Sequence, residues 1–171
     1  MFRERLNLDE RDAIIINKLQ KDPFASQDEL AKELKLSQPS ISARIRKLRE
    51  QGVIHHLVGM NLKKLELPMA KIDISTTETN SLIKEFEHCP FFLNGFVTSG
   101  KHNLCLLFVA KDLQTLEGIV NYHLRCHPKV KDIEMNVIIT SAKDFVMPLN
   151  LDQAKESTCE QHCMKGTRKY Y

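Results

Sequence analysis

The sequence predicts an α+β protein in which a winged helix-turn-helix domain precedes a ferredoxin-like sheet domain. Three observations lead to this fold class. Apolar residues recur at helical spacing up to residue 54, the period changes to strict alternation after Pro68, and the later elements follow the order β-α-β-β-α-β. That order is typical of a sheet with its helices on one face. With 171 residues, the chain has room for two small domains.

Two short helices are predicted before residue 35. The first covers residues 8–20, with Asn7 or Asp9 as its N-terminal cap. The second begins after Ser26, which stands three residues before Glu29 in the spacing of a capping box. The sequence LKLS interrupts the helical pattern and makes this second helix short.

The third predicted helix carries the clearest functional signal. Ser37 stands at the cap position, Pro39 lies in the first turn, and Gly52 stops the helix. One narrow apolar stripe is formed by Ile41, Ile45 and Leu48. The segment from Ser37 to Arg49 contains four cations and no acid. Such clustering on one element is typical of nucleic-acid binders.

A helix of this kind fits the major groove of DNA, which is about 12 Å wide. Small polar residues near its start allow close approach, glutamine pairs with adenine, cations reach phosphates or guanine, and the helix N-terminus binds a phosphate. The predicted DNA-binding residues are Ser37, Gln38, Ser40, Ser42, Arg44, Arg46 and Lys47. Taken alone, a helix with basic residues on one side is usually a solvated surface helix. The caps, the short preceding helix, the glycine stop and the expected wing together favour DNA binding.

The remaining segments give the predicted domain boundaries. A wing or hairpin and a linker strand are expected in VIHHLVGMNLKKLEL, and alternating apolar residues in MAKIDIST start the sheet domain. The sequence LCLLFVA is apolar throughout, as in a central strand covered on both faces. The predicted organisation is a DNA-binding domain at 1–54, a linker at 55–66, a sheet domain at 67–145 and a tail at 146–171.

Three blocks carry a resemblance to a known family: LDERDAIIINKLQKD, LAKELKLSQPSISARIRKLREQGVI and VTSGKHNLCLLFVAKD. In this order and spacing, residues 7–145 resemble the Lrp/AsnC family of feast/famine transcription regulators. The resemblance implies a DNA-binding winged helix joined to a ligand-sensing RAM domain of the β-α-β-β-α-β type. It also implies double-stranded DNA and a small effector, often an amino acid, as partners. Homodimers are expected to form through the sheet domain and to assemble into tetramers or octamers.

In that family, a loop between the second and third strands lines the effector pocket. Here the loop matches the family's glycine, whereas His102 replaces the usual aromatic residue and Asn103 the usual acid. A neutral asparagine holds a ligand's ammonium group less well than an acid does, and Lys101 can attract a carboxylate instead. The expected effector-binding residues are Ser99, Gly100, Lys101, His102, Asn103, Thr140 and Ser141, the last two from an adjacent subunit. The alternative is a structural hairpin turn.

Other functional classes leave few signals in the sequence. No segment is a signal peptide or a membrane span, so we expect a cytoplasmic protein without a membrane partner. Cys159, His162 and Cys163 are weak metal-ligand candidates, because the paired spacing of a zinc finger is missing. No cofactor and no catalytic residue are predicted. The rival interpretation is a tetrapyrrole enzyme similar to the siroheme decarboxylases, which resemble Lrp/AsnC proteins; His102 followed by NLCLLF suggests it.

Overall fold

The computed structural model describes residues 2–149, which form two compact units that divide between Leu57 and Val58. The first unit contains the helices α1 (Phe2–Arg5), α2 (Glu10–Lys21), α3 (Gln27–Leu34) and α4 (Gln38–Glu50). The second unit contains β1 (Met60–Asn61), α5 (Leu62–Leu65), β2 (Met69–Thr76), α6 (Thr79–Phe86), β3 (Phe92–Val97), β4 (Leu104–Val109), α7 (Leu113–Ile119), a π-helical segment (Val120–Arg125), β5 (Val130–Ile138) and β6 (Val146–Met147). None of the helices among these residues is long and apolar enough to cross a membrane.

Helices α2 and α3 begin at the predicted side-chain caps. The Asp12 N–H donates to Asp9 Oδ1 at 2.7 Å, and the Asp9 N–H donates back to Asp12 Oδ2 at 3.3 Å. This reciprocal capping box makes Asp9, rather than Asn7, the cap of α2. At α3, Ser26 Oγ accepts the N–H of Glu29 at 3.1 Å. Each acceptor satisfies an N–H that would otherwise lack a partner in the first turn.

Helix α4 begins after Ser37, as predicted, but without a side-chain bond from the cap residue. Ser37 occupies the cap position, but its hydroxyl pairs with the Ser40 hydroxyl at 2.9 Å and accepts no helix N–H. A cap normally accepts from the second or third helical residue. The second is Pro39, which has no N–H, and the Ser40 N–H already donates to the Ser37 carbonyl at 3.0 Å. Ser37 therefore occupies the predicted cap position, but its side chain satisfies no N–H of the first turn.

The end of α4 is as predicted. Gly52 has φ +68°, its N–H donates to the Arg49 carbonyl at 2.9 Å, and the Val53 N–H donates to the Leu48 carbonyl at 2.9 Å. These two bonds form a Schellman motif, which favours glycine at the left-handed position. The three helices α2, α3 and α4 enclose one core. Its buried residues are Ile15, Leu30, Ala31, Ile41, Ile45 and Leu48.

The second unit confirms the predicted sheet domain. Its main sheet has the strand order β3-β4-β2-β5, with all neighbours antiparallel, and its elements follow β-α-β-β-α-β in sequence. Strand β4 is central and almost wholly buried, as its unbroken apolar sequence predicts. Ile72, Leu106 and Phe108 face α6 and α7 in the largest core cluster. The registers place Lys71, Asp73 and Phe96 on the opposite face of the sheet.

The linker and the start of the predicted tail differ from expectation. Residues 53–59 form no strand, so the expected hairpin is absent there. Strand β1 instead pairs with β6, which lies in the segment predicted as a tail. A Cβ on Gly59 would lie 2.7 Å from the Met147 carbonyl, so glycine permits this close approach. The pair covers a third apolar cluster around Leu62, Met69 and Val109.

Candidate nucleic-acid interface and effector loop

Most of the predicted DNA-binding residues lie on the exposed surface of α4. The stripe of Ile41, Ile45 and Leu48 is buried, so the rest of the helix circumference faces outward. Six of the seven predicted residues are exposed: Ser37, Gln38, Ser40, Ser42, Arg46 and Lys47. The side chain of Arg46 is 75% exposed, and its Nε lies 3.9 Å from Glu50 Oε1 one turn further on. Such an exposed pair is weak and leaves the guanidinium available to a phosphate.

Arg44 is the exception among the predicted cations. Its Nη1 donates to Asp9 Oδ2 at 2.6 Å and to Asp12 Oδ1 at 2.7 Å, and its side chain is only 28% exposed. Asp12 is buried, so without Arg44 its charge would lose its cationic partner. Arg44 therefore joins the middle of α4 to the N-terminus of α2 and does not project as a free phosphate ligand. We call these three residues the Arg44–Asp9–Asp12 network.

The electrostatics of this network are consistent with a stable charged contact. The pKa of Asp9 lies below its ordinary value, mainly because the Asp12 N–H donates to its carboxylate, with further help from Arg44. The pKa of Arg44 is raised by its hydrogen bonds to Asp9 and then to Asp12. The charged forms of both groups are thus favoured over the neutral ones.

Several polar side chains of the predicted effector loop already bind other residues of the same chain. Asp132 Oδ2, on β5, lies 2.7 Å from Lys101 Nζ and 3.2 Å from His102 Nε2. The pKa of Asp132 is lowered first by the Lys101 hydrogen bond and then by His102. Lys101 is 78% exposed, so solvent competes with this ion pair. The loop cation nevertheless already has a carboxylate partner in the folded chain.

Asn103 has a structural role in this loop. Its Oδ1 accepts the Thr76 N–H at 3.0 Å, and its Nδ2 donates to the Thr76 carbonyl at 2.8 Å. The side chain therefore acts as a backbone partner at the end of β2. Thr98 closes the turn, since its N–H donates to the Asn103 carbonyl at 3.0 Å. Gly100 has φ +130°, a conformation that disfavours other residues, and a Cβ there would meet open space.

Thr140 and Ser141 lie at the other end of the same sheet. The loop precedes Leu104, which pairs with Ile74 of β2, whereas these two residues follow Ile138, which pairs with Met69 at the opposite end of β2. They line an open cavity of about 530 Å³. Its other walls come from α5, the segment before β2, the start of α7 and the end of β5: Leu62, Lys63, Glu66, Leu67, Pro68, Met69, Leu113, Val137, Ile138 and Ile139. Within one chain, the two halves of the predicted effector site are therefore not brought together.

The remaining candidates for chemistry are few. Cys159, His162 and Cys163 lie outside the described residues. Among residues 2–149, no group of three or more His, Cys, Asp or Glu side chains could hold a metal ion. Cys89, Cys105 and Cys126 form no disulfide bond, and burial is the main reason that the pKa of Cys105 is raised.

Sequence reasoning missed the acidic partners at both sites. Asp9 and Asp12 precede Arg44 by 35 and 32 residues, and Asp132 follows His102 by 30. No short-range spacing rule reaches over such separations. The only local hint of the Arg44 ion pairs is the presence of Asp9 and Asp12 at the start of α2. Helix capping alone already accounts for acids at those positions.

Comparisons with known proteins agree with this geometry. A model of the winged helix-turn-helix DNA-binding domain matches residues 8–55. The HTH-type transcriptional regulator LrpC of Bacillus subtilis is 36% identical over 121 residues, which are 68% of this chain and 83% of that protein. In fold, the chain is similar to AsnC of E. coli, with a TM-score of 0.72, 17% identity, and coverage of 80% of this chain and 95% of that one.

A second structural neighbour is a transcriptional regulator of Neisseria meningitidis in complex with L-Met. It has a TM-score of 0.68 and 21% identity, and the match covers 86% of this chain and 99% of that one. The structural similarities show the fold, while the identity to LrpC over most of that protein's length shows the family. The helix-turn-helix, the sheet domain and the similarity to LrpC together establish that the chain belongs to the Lrp/AsnC family of DNA-binding transcriptional regulators.

Proposed function

We propose that the chain controls transcription by placing α4 in the major groove of its target DNA. The observation that carries this proposal is the acid-free exposed surface from Ser37 to Lys47, held on a buried apolar stripe. Gln38 and Ser42 supply hydrogen-bonding groups for base edges, and Arg46 and Lys47 supply phosphate contacts. Ser37 is assigned to phosphate binding through the helix N-terminus, and Ser40 lies beside it.

Arg44 has a different role in this proposal. Its guanidinium is committed to Asp9 and Asp12, so it positions α4 and makes no phosphate contact. The salt dependence of DNA binding distinguishes a cation that binds phosphate from one that positions the helix. Removal of a phosphate-binding cation lowers the salt dependence of binding, whereas removal of a positioning cation lowers affinity at constant salt dependence.

A homodimer through the sheet domain is part of the same proposal. The open face of the sheet carries Phe96, which is half exposed, and, on the far side of β4, the Lys71–Asp73 ion pair of 2.7 Å. A second copy would cover this face. Two α4 helices would then engage successive major grooves, so the operator should be a pseudo-palindrome with half-sites about one helical turn, or a multiple of it, apart. Tetramers or octamers would form from such dimers.

The proposed effector is a small molecule, such as an amino acid, held between subunits. The similarity in fold to a regulator solved with L-Met supports this, and so does the cavity beside Thr140 and Ser141. Because these residues and the 99–103 loop lie at opposite ends of one sheet, a complete site requires loops from two subunits. Ser99, Gly100, Lys101 and His102 form the proposed contacts from one side. Asn103 shapes the loop.

The proposal needs no catalytic step. LrpC and the neighbour from Neisseria meningitidis are transcriptional regulators, and DNA binding accounts for the exposed surface of α4. We place the protein in the cytoplasm, with the DNA that it binds. An added tetrapyrrole should therefore give no Soret band of a bound complex, and a saturable band would favour the enzyme interpretation.

Fluorescence anisotropy tests the DNA-binding proposal. The full chain is titrated with DNA from upstream of its own gene and with a random duplex across a salt series. We expect saturable binding, a preference for the first duplex, and a steep salt slope. Joint replacement of Arg46 and Lys47 by alanine should lower that slope by about 0.9 for each phosphate that is no longer neutralised. Alanine at Lys64 and Lys131, exposed cations of the second unit, is the control with the same change in net charge.

Two outcomes would overturn the assignment. Equal weak binding to both duplexes would make α4 a solvated surface helix. An unchanged salt slope in the Arg46 and Lys47 variant, or the same decrease in the control, would show that another surface binds the phosphates. The effector proposal is tested in the same assay by adding L-methionine, which should shift the binding curve of the wild type more than that of Lys101→Ala. No shift by this or any other amino acid would count against it.

A further inference from the structure

Ala43 lies on the outermost line of α4, which it shares with Glu50 two turns further on. Residues on an α-helix are spaced by about 100°, so the centre of the buried stripe of Ile41, Ile45 and Leu48 defines the inner side. Ala43 lies within about 15° of the point opposite that centre. It is exposed, in the N-terminal half of the helix, where recognition helices contact base edges.

The neighbours of Ala43 favour a close approach to DNA. Arg46 and Lys47 lie about 50° from the outermost line on either side, so their long side chains can reach the phosphates of the two strands. Pro39, one turn before Ala43, is also exposed and has no polar side chain. Arg44 is held back by the Arg44–Asp9–Asp12 network. In the N-terminal half of α4, the side chains on this outermost line are thus short and apolar, with cations on both sides.

A short apolar side chain at this position has one natural partner. The edges of the bases in the major groove offer donors, acceptors and the C5-methyl of thymine, which is the only apolar group among them. An alanine methyl can contact this group without a polar atom that would be left unpaired. We propose that Ala43 reads a thymine methyl, so that each half-site contains a required thymine opposite the second turn of α4. This inference rests on the proposed placement of α4 in the major groove.

The test removes the thymine methyl, the Ala43 methyl, or both. The full chain first selects duplexes from a random pool, and each thymine of the selected half-site is then replaced by deoxyuridine. At one thymine, the wild type should lose about fourfold in affinity, which corresponds to about 0.8 kcal/mol for one buried methyl. The same replacement should cost Ala43→Gly less than about 1.5-fold, since the partner methyl is already absent.

Two further variants keep the test independent of helix stability. Ala43→Ser retains the Cβ but adds a hydroxyl, and it should lower the preference for thymine at that position in a repeated selection. Glu50→Gly removes an exposed side chain of the same helix that is assigned no DNA contact, and it should retain the full deoxyuridine penalty. Circular dichroism and urea denaturation establish that the variants are folded.

The outcomes distinguish this inference from the broader proposal. If selection yields a consensus but deoxyuridine is tolerated at every position, or if Ala43→Gly shows the full penalty, Ala43 does not read a methyl, while DNA recognition by α4 stands. If the pool yields no consensus at all, base reading by α4 fails and the inference fails with it.

Discussion

Helix α4 and the loop at residues 99–103 contain similar residues that do different things. Both combine cations with small polar side chains, and the sequence predicts ligand binding for both. On α4, Arg46 and Lys47 are exposed, and only Arg44 is held by carboxylates of another helix. In the loop, Lys101, His102 and Asn103 all have partners on β2 or β5.

The difference follows from how each segment is held. A helix presents its outward side chains by its own geometry, so burial of one stripe leaves the others available. A tight turn has few internal hydrogen bonds, and its polar side chains instead satisfy backbone groups of adjacent strands. A cation in a sequence motif therefore predicts a ligand contact better on a helix than in a turn.

The largest effect that sharpens this comparison is expected at Arg44. Arg44→Ala leaves the buried Asp12 without its cationic partner, so the free energy of unfolding should fall by about 2–3 kcal/mol. Urea denaturation of the full chain measures it. Because Nη1 makes both bonds, Arg44→Lys should restore part of the loss. The salt slope of DNA binding should stay unchanged in both variants, and a lower slope would return Arg44 to the phosphate contacts.

Asn103 provides the second test. Asn103→Ala removes two hydrogen bonds to Thr76, each worth about 1 kcal/mol, so we expect a loss of about 1–2 kcal/mol in unfolding free energy. Hydrogen exchange should show faster opening at the Thr76 end of β2. Asn103→Asp keeps an acceptor for the Thr76 N–H but places a carboxylate oxygen against the Thr76 carbonyl, so it should not restore the stability. Unchanged stability together with a lost response to effector would make Asn103 a ligand contact.

Backbone conformation gives a smaller contrast between the two regions. Lys35, in the turn before α4, has φ +52°, where a side chain is disfavoured, whereas Gly100 in the loop has φ +130°. Lys35→Gly should relieve about 1 kcal/mol of strain and lose about half of it to the entropy of the unfolded chain. Thermal unfolding should then show a gain of about 0.5 kcal/mol, and Gly100→Ala should show a loss. A loss at Lys35→Gly would mean that the lysine side chain stabilises the turn.

The smallest expected effect is in the pH dependence. The folded-state pKa values of Asp9 and Asp132 are lowered, so each group stabilises the fold above its unfolded pKa of about 3.9, and this stabilisation is lost as the pH falls through the folded value. Urea denaturation from pH 6 to about pH 2.5 should show declining stability. The decline should be smaller in Asp132→Asn, and an identical decline would show that Lys101 and His102 do not stabilise the carboxylate.

The sequence predicts those parts of the fold that depend on local periodicity. The alternation in β2, the unbroken apolar run of β4 and the caps at Asp9 and Ser26 could all be identified from neighbouring residues. The missing side-chain bond at Ser37 could not be identified in this way. The Ser40 N–H donates to the Ser37 carbonyl and the two hydroxyls pair with each other, and both contacts become apparent only in three dimensions. The internal partners of Arg44 and Lys101 depend on tertiary packing over about 30 residues and leave no local pattern.

The pairing of β1 with β6 has a practical consequence for anyone who trims this chain for expression. A boundary at residue 145, which the polar composition of the last residues would recommend, removes Val146 and Met147 and leaves β1 without its partner. Met147 and Leu149 would no longer shield Leu62, Met69 and Val109 from water. Shortened versions should therefore extend at least to Leu149, and a shorter one invites association through the uncovered strand edge and apolar side chains.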